Sequence, residues 1–127
     1  MFMNKGEIYK LKREFKEKYR SECYKHPFIF WNEKHADYTG IMLTTSNSPK
    51  YKNIELKEDF FESGFDVGFG KSESKSKSYI VPLHLLKEVK YEHLEKVGEL
   101  TKAGKEFIAK TVGKLEYTDW VTHMKLK

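Results

Sequence analysis

The pattern of apolar and polar positions predicts a β-hairpin in the first half of the chain. An aromatic and β-branched run over 27–31 opens with Pro27, which cannot donate a ladder hydrogen bond and so fits the first position of a strand. The polar stretch over 32–37 predicts a turn, and a second strand follows over 38–45. His26 then stands at the entrance of the first strand, and hydroxyl residues stand at the end of the second.

Shorter apolar patterns predict further strands around this hairpin. Imperfect alternation over 5–12 indicates a first strand, 53–56 alternates with period two, and 78–89 contains one or two more strands. Two polar segments are interpreted as connections. Residues 13–24 have no clear period, which predicts a mobile connecting loop, and the low-complexity run over 71–78 predicts a flexible exposed loop.

A closing helix is predicted over 102–112. Thr101 fits the N-cap and Gly113 the C′ position. Four apolar residues share one helical stripe: Ala103, Phe107, Ile108 and Val112. The expected fold class is therefore mainly β (α+β) with a C-terminal helix, in a single domain over 1–127.

Composition excludes several classes of protein. A charged content of 34%, a mean hydropathy of −0.72 and the absence of an apolar run near 20 residues argue against a membrane span. The first residues lack the apolar core of a secretory signal, so we expect a cytoplasmic location. Cys23 is the only cysteine, and the histidines have no metal-site spacing. We therefore infer no metal and no cofactor.

Positive charge is concentrated early in the chain. The net charge is +5 and the sequence pI is about 9.1, which favours an anionic partner. Between Lys10 and Lys25 lie five basic residues: Lys12, Arg13, Lys16, Lys18 and Arg20. Each of them alone is typical of a solvated surface, but together they are able to neutralise several phosphates.

Four motifs, taken in order, resemble one family. They are Gly6-Glu7-Ile8-Tyr9, Lys25-His26-Pro27-Phe28-Ile29-Phe30, a strand from Ile41 to Thr45, and the segment His93-Leu94-Glu95-Lys96-Val97-Gly98-Glu99-Leu100. Their order and spacing, over roughly residues 6 to 112, resemble the MazF/PemK-like toxins. The resemblance implies a small SH3-like β-barrel with a C-terminal helix. It also implies a metal-independent endoribonuclease that cleaves single-stranded RNA, forms a homodimer and is neutralised by an antitoxin protein.

The resemblance also implies a site. In the family, the residue before the strand-two proline is usually arginine and acts with Thr or Ser at the end of strand three. Here those positions hold His26 and Thr45, with Ser46 adjacent. Histidine is able to act as acid or base near neutral pH, and Lys25 would then supply positive charge. The residues implied to cover the RNA groove are Arg13, Lys16, Lys18 and Arg20.

Other interpretations stay open. A histidine beside a strand is commonly a structural hydrogen-bonding group, and Thr45 is also placed to cap the turn that follows it. Without the arginine, the chain is alternatively a non-catalytic SH3-like barrel module that binds nucleic acid or a protein partner. A third interpretation makes it an adaptor. In that case the accessory tail over 114–127, with its large apolar Trp120, recruits a partner instead of packing on the domain.

Overall fold

The computed structural model describes residues 4–19, 26–34, 37–44, 53–62, 78–81, 84–86, 89–112 and 117–119. Within them lie eight strands: β1 (Glu7–Leu11), β2 (Phe28–Lys34), β3 (Asp37–Thr44), β4 (Ile54–Leu56), β5 (Ser78–Ile80), β6 (His84–Leu86), β7 (Leu94–Glu99) and β8 (Tyr117–Asp119). One α-helix, α1 (Lys102–Val112), follows β7. Three short 3-10 helices cover Arg13–Lys18, Glu58–Phe60 and Tyr91–His93.

The strands form a mainly antiparallel sheet. Its main path runs β4-β5-β3-β2-β1-β7, and every pair along this path is antiparallel. Strand β6 pairs with β3, and β8 joins β6 in parallel. The two ends of the path approach each other at one bridge between Phe61 and Leu100. The described residues are thus mainly β with one α-helix, as predicted, but they do not show a sheet closed strand to strand.

Both faces of the central strands are buried, which explains their continuous apolar runs. Successive side chains point to opposite faces, so Phe28 and Ile29 enter different clusters. The tyrosine-side cluster contains Tyr9, Leu11, Phe28, Phe30, Met42, Val81, Val89 and Leu94. The helix-side cluster contains Ile8, Ile29, Trp31, Ile41, Leu43, Leu56, Phe60, Phe61, Ile80, Leu100, Ile108 and Val112.

Two predicted segments have different boundaries in the structure. The predicted turn over 32–37 is wrong in extent, because β2 continues to Lys34 and pairs there with Asp37 at the start of β3. Backbone pairing continues here although the side chains are polar. The predicted mobile loop over 13–24 is wrong for its first part, where Arg13–Lys18 forms a 3-10 helix. The apolar side chain of Phe15 packs against the tyrosine-side cluster and stabilises this turn.

The other predicted elements are confirmed where the structure describes them. Residues 5–12 contain β1, 53–56 contain β4, and 78–89 contain both β5 and β6. Part of the tail packs on the domain, since Tyr117–Asp119 pairs with β6. Gly113, Trp120 and most of the polar run over 71–78 lie outside the described residues.

Helix α1 begins as its sequence predicts. The Thr101 hydroxyl accepts a hydrogen bond from the Gly104 amide at 3.2 Å and donates one to the Asp59 carbonyl at 3.0 Å. The first bond satisfies an amide that lacks a partner within the helix. The second ties the start of the helix to the 3-10 helix Glu58–Phe60. Thr101 thus fixes both the start and the position of α1.

We expect Thr101→Ala to lower the free energy of unfolding by about 1–2 kcal/mol, since it removes both the cap and the bond to Asp59. Urea denaturation monitored by circular dichroism measures this change. Thr111→Ala, in the last turn of α1, is the matched control and should change stability by less than about 0.5 kcal/mol. Equal losses in the two variants would contradict the capping role.

Candidate functional site

His26, the predicted site histidine, lies beside the end of β3, the strand that the sequence predicts to end in hydroxyl residues. Phe28 pairs with Met42, and the Leu43 amide donates to the Pro27 carbonyl at 2.8 Å. One step further along this antiparallel register, His26 is level with Thr44. His26 is half-buried and Thr44 is buried. Backbone pairing therefore brings the start of β2 and the end of β3 together.

Three of the predicted site residues, Lys25, Thr45 and Ser46, lie outside the described residues. Thr45 directly follows Thr44, the last residue of β3. The backbone contact between β2 and β3 extends to Leu43, and Thr44 itself pairs with Tyr79 of β5. The proline and the hydroxyl run predicted that the start of β2 and the end of β3 carry polar groups. The hairpin register shows that these two strand ends are level with each other.

Two more strand ends lie at the same end of the sheet. Strand β1 runs between β2 and β7, and Leu11 at its end pairs with Leu94. Just beyond this pair, the Lys12 amide donates to the His93 carbonyl at 2.8 Å. Strands in a sheet are about 4.8 Å apart, so two strand spacings, about 10 Å, separate the backbone of β2 from that of β7. We call this end of the sheet, with Thr44, His26, Lys12 and His93, the histidine end.

The 3-10 helix Arg13–Lys18 continues from the histidine end. Three of the predicted RNA-binding residues, Arg13, Lys16 and Lys18, lie on it and are exposed. The fourth, Arg20, lies outside the described residues. The exposed positions leave these side chains free of the core, so their charge is available to a solvent-borne anion.

His93 is held in place at the histidine end by aromatic residues. Its ring stacks on Phe15 with 4.0 Å between the centroids, and Tyr19 meets it edge-on at 5.7 Å. The Tyr19 hydroxyl lies 2.7 Å from Nδ1 of His93 and accepts a hydrogen bond from the Lys90 amide at 3.1 Å. When the Tyr19 hydroxyl donates its proton to Nδ1, the neutral ring carries its hydrogen on Nε2.

The surroundings of His93 disfavour its protonated form. Burial is the largest cause that lowers its pKa below the ordinary value, followed by the positive charges of Lys18 and Lys90. Lys12 acts in the same direction, and Glu92 opposes them. The residue is only 9% exposed. The sequence alone did not single out His93, because its contact with Tyr19 joins residues 74 positions apart.

A second polar cluster lies at the other end of β1. The buried Glu7 carboxylate accepts hydrogen bonds from the Asn4 amide at 2.6 Å, the Tyr9 hydroxyl at 2.9 Å and Lys96 Nζ at 2.7 Å. Lys96 also lies 3.4 Å from Glu99. These groups satisfy both oxygens of a carboxylate that is 6% exposed. We call this group the Glu7 network.

The Glu7 network shifts the pKa values of its members in directions that keep the ion pair charged. Burial alone would raise the pKa of Glu7, but the bonds from Lys96, Asn4 and Tyr9 hold it below the ordinary value. The bond to Glu7 raises the pKa of Lys96. Burial and the bond to Glu7 raise the pKa of Tyr9. All groups are paired with one another, which is typical of a structural network.

Two features of the described residues bear on other classes of protein. No group of three or more His, Cys, Asp or Glu side chains is positioned there to hold a metal ion. Among the helices in those same parts of the chain, none has the length and apolar character that crossing a membrane requires.

Comparisons with protein-family models, with curated proteins and with solved structures find no match to this chain. Function must therefore be inferred from the residues and their placement. The histidine end is the part of the described structure where candidate acid–base groups, a hydroxyl and basic side chains come together.

Proposed function

We propose that the chain is a metal-independent endoribonuclease that cleaves single-stranded RNA at the histidine end, as a toxin of the MazF/PemK-like kind. The observation that carries the proposal is the β2–β3 register, which sets His26 level with Thr44, the residue that precedes Thr45 in the chain. The exposed basic side chains of Arg13, Lys16 and Lys18 support it, because they provide charge for a phosphate backbone close by.

The chemistry proposed for this site needs only protein groups. His26 takes the proton from a ribose 2′-hydroxyl, and the 2′-oxygen then attacks the adjacent phosphorus. The bond to the 5′-oxygen breaks, and the leaving oxygen takes a proton from an acid or from water. Thr45, with Ser46 beside it, donates a hydrogen bond to the phosphate oxygens, and Lys25 adds positive charge. The products are a 2′,3′-cyclic phosphate and a 5′-hydroxyl.

The finer fold belongs to the same proposal. An SH3-like barrel curls its sheet until the edge strands meet. The bridge between Phe61 and Leu100, with the Glu62 amide donating to the Glu99 carbonyl at 2.9 Å, supports such curvature. The position of α1 directly after β7 is in keeping with a closing C-terminal helix.

Cleavage of a labelled single-stranded RNA in EDTA tests the proposal directly. We expect His26→Ala and Thr45→Ala each to slow cleavage by about 100-fold or more, since each removes a group that acts in the transition state. Lys110→Ala, an exposed charge on α1, is the matched control and should leave the rate unchanged. Thermal unfolding of each variant shows whether it is folded.

A His26→Arg variant separates two possible roles for this position. If His26 acts as the base, the wild-type rate changes across the pH range in which histidines titrate, and the arginine variant loses this dependence. If the position only stabilises charge, the wild-type rate falls at high pH as the imidazolium loses its proton, whereas the arginine variant cleaves at least as fast and has a flat profile. A wild-type protein that leaves RNA intact in every buffer would overturn the endoribonuclease proposal.

A second candidate is a non-catalytic SH3-like barrel module that binds nucleic acid or a protein partner. The specific observation that favours it is His26 itself, which replaces the arginine of the family motif. The same experiment distinguishes the two candidates. Retention of the RNA by the wild-type protein in a gel-shift assay, without cleavage, would support the binding module.

The proposed toxin also has protein partners. We propose a homodimer in the cytoplasm and an antitoxin that neutralises it, and the positive net charge of +5 favours an acidic antitoxin. Expression of the chain alone should arrest bacterial growth, and co-expression of an acidic protein encoded next to it should restore growth. Normal growth on expression of active, folded protein would contradict a toxin role.

A further inference from the structure

His93 has one ring nitrogen bound and one available. Nδ1 is bound to the Tyr19 hydroxyl, and in the described parts of the chain no further hydrogen bond to the ring is found. In those parts Nε2 is not a buried polar atom left without a partner, although the residue as a whole is only 9% exposed. A ring fixed by stacking on one side and by a hydrogen bond on the other presents this N–H in a constant direction. Hydrogen-bond donors held in a fixed direction are characteristic of preorganised binding sites.

Three lysines are joined to His93 through the backbone around it. The Lys12 amide binds the His93 carbonyl, and the His93 amide donates to the Lys90 carbonyl at 3.0 Å. Lys18 directly precedes Tyr19, whose hydroxyl binds both His93 and the Lys90 amide. The backbone contacts therefore bring Lys12, Lys18 and Lys90 close to His93. Glu92 is the one acidic group recorded as acting on this ring among the described residues.

We propose that His93 Nε2, with the ammonium groups of Lys12, Lys18 and Lys90, forms a binding site for a phosphate group. A phosphate offers several acceptor oxygens and up to two negative charges, which suits one N–H donor with three cations. A single carboxylate would leave most of that charge uncompensated. The site goes beyond the proposed cleavage, because it needs neither His26 nor Thr45 and would bind phosphate even in a chain that cleaves nothing.

The geometry also predicts how binding depends on pH. Burial and the neighbouring lysines lower the pKa of His93 in the free protein. A bound anion offsets the lysine charges and favours the imidazolium, so it should raise that pKa. A phosphodiester does not titrate in this range. Its affinity should therefore increase as the pH falls through the titration of His93.

NMR spectra of the imidazole groups test the site on the full chain. In one arm the probe is inorganic phosphate, and in the other it is a short oligoribonucleotide without a terminal phosphate. We expect the His93 resonances, identified by their loss in His93→Gln, to shift on titration and to show the raised pKa. A double variant, Lys18→Ala with Lys90→Ala, should bind about tenfold more weakly. Both lysines are exposed, so the fold should be unaffected.

Lys110→Ala is the control for non-specific attraction, since Lys110 lies on α1, which packs on the helix-side cluster. A shift with inorganic phosphate alone assigns the site to free phosphate or a phosphomonoester. A shift with the oligonucleotide alone assigns it to a nucleic-acid backbone. No shift of His93 in either arm, or an equal loss of affinity in Lys110→Ala, overturns the proposal. RNA cleavage without such a shift would leave the proposed function standing and remove this site.

Discussion

Glu7→Gln should lower the free energy of unfolding by about 2–3 kcal/mol. The amide oxygen of glutamine is able to replace the acceptor for the Asn4 amide and the Tyr9 hydroxyl. Its NH₂ group, however, would face Lys96 Nζ, which binds the second carboxylate oxygen at 2.7 Å. Two donors would then oppose each other in a buried site. Breaking a buried ion pair costs about 3–5 kcal/mol, and the partial exposure of Lys96 reduces that figure.

Glu99→Gln is the matched control, because Glu99 also contacts Lys96. Its side chain is 34% exposed and its contact is longer, at 3.4 Å. We expect a loss of less than about 0.5 kcal/mol. Urea denaturation at neutral pH measures both variants. Similar losses would show that burial of the Glu7 network contributes nothing beyond a surface ion pair.

The effect of Glu7 should also disappear in acid. Because the pKa of Glu7 is lower in the folded protein than its ordinary value of 4.5, the folded state binds fewer protons there than the unfolded state. The stabilisation is fully present above pH 4.5 and is lost as the pH falls through the folded pKa. Wild type and Glu7→Gln should therefore converge in stability below that range. A constant difference down to acid unfolding would contradict this linkage.

Phe28→Ala should lower the free energy of unfolding by about 3–5 kcal/mol. Phe28 is 2% exposed, lies in the central strand β2 and belongs to the tyrosine-side cluster. Its removal leaves a cavity that neighbouring strands fixed by hydrogen bonds cannot fill. The ring also covers Gly40 on β3, its diagonal neighbour across the strand pair, where an added methyl group would collide with it.

This contact predicts a coupling between two positions. Gly40→Ala alone should destabilise the protein by about 2–3 kcal/mol, because the Phe28 ring must leave its place. In a Phe28→Leu background, the smaller side chain makes room, and the same change at Gly40 should cost less than about 1 kcal/mol. Urea denaturation of the four proteins in this cycle gives the coupling free energy. Strict additivity would mean that the ring and the glycine do not constrain each other.

Sequence patterns predicted the elements whose structure depends on interactions between neighbours in the chain. The proline at the start of β2, the apolar runs of β2 and β3, and the Thr101 cap each act through neighbours in the chain, and the structure contains all three features. The same patterns misjudged the polar ends of the hairpin strands. Backbone ladder bonds do not depend on apolar side chains, so pairing continues to Lys34 and Asp37.

The candidate site was only partly predictable for the same reason. His26 and the hydroxyl run were found because proline and a change of polarity mark strand ends in the sequence. His93 was not, since its surroundings come from Phe15 and Tyr19, far away along the chain. Pairing of β1 with β7 brings the segment around Phe15 next to His93. This pairing joins distant parts of the chain, so no residue spacing within either part predicts it.

The position of β1 between β2 and β7 affects how the chain folds while it is being synthesised. This strand is translated before both of its neighbours, β2 and β7, so the edge that pairs with β7 stays unpaired until residues 94–99 have left the exit tunnel. Until then its unpaired amides and carbonyls are able to form hydrogen bonds with strands of other chains. Nascent chains that stall before residue 94 should therefore recruit chaperones more strongly than chains that stall after Leu100.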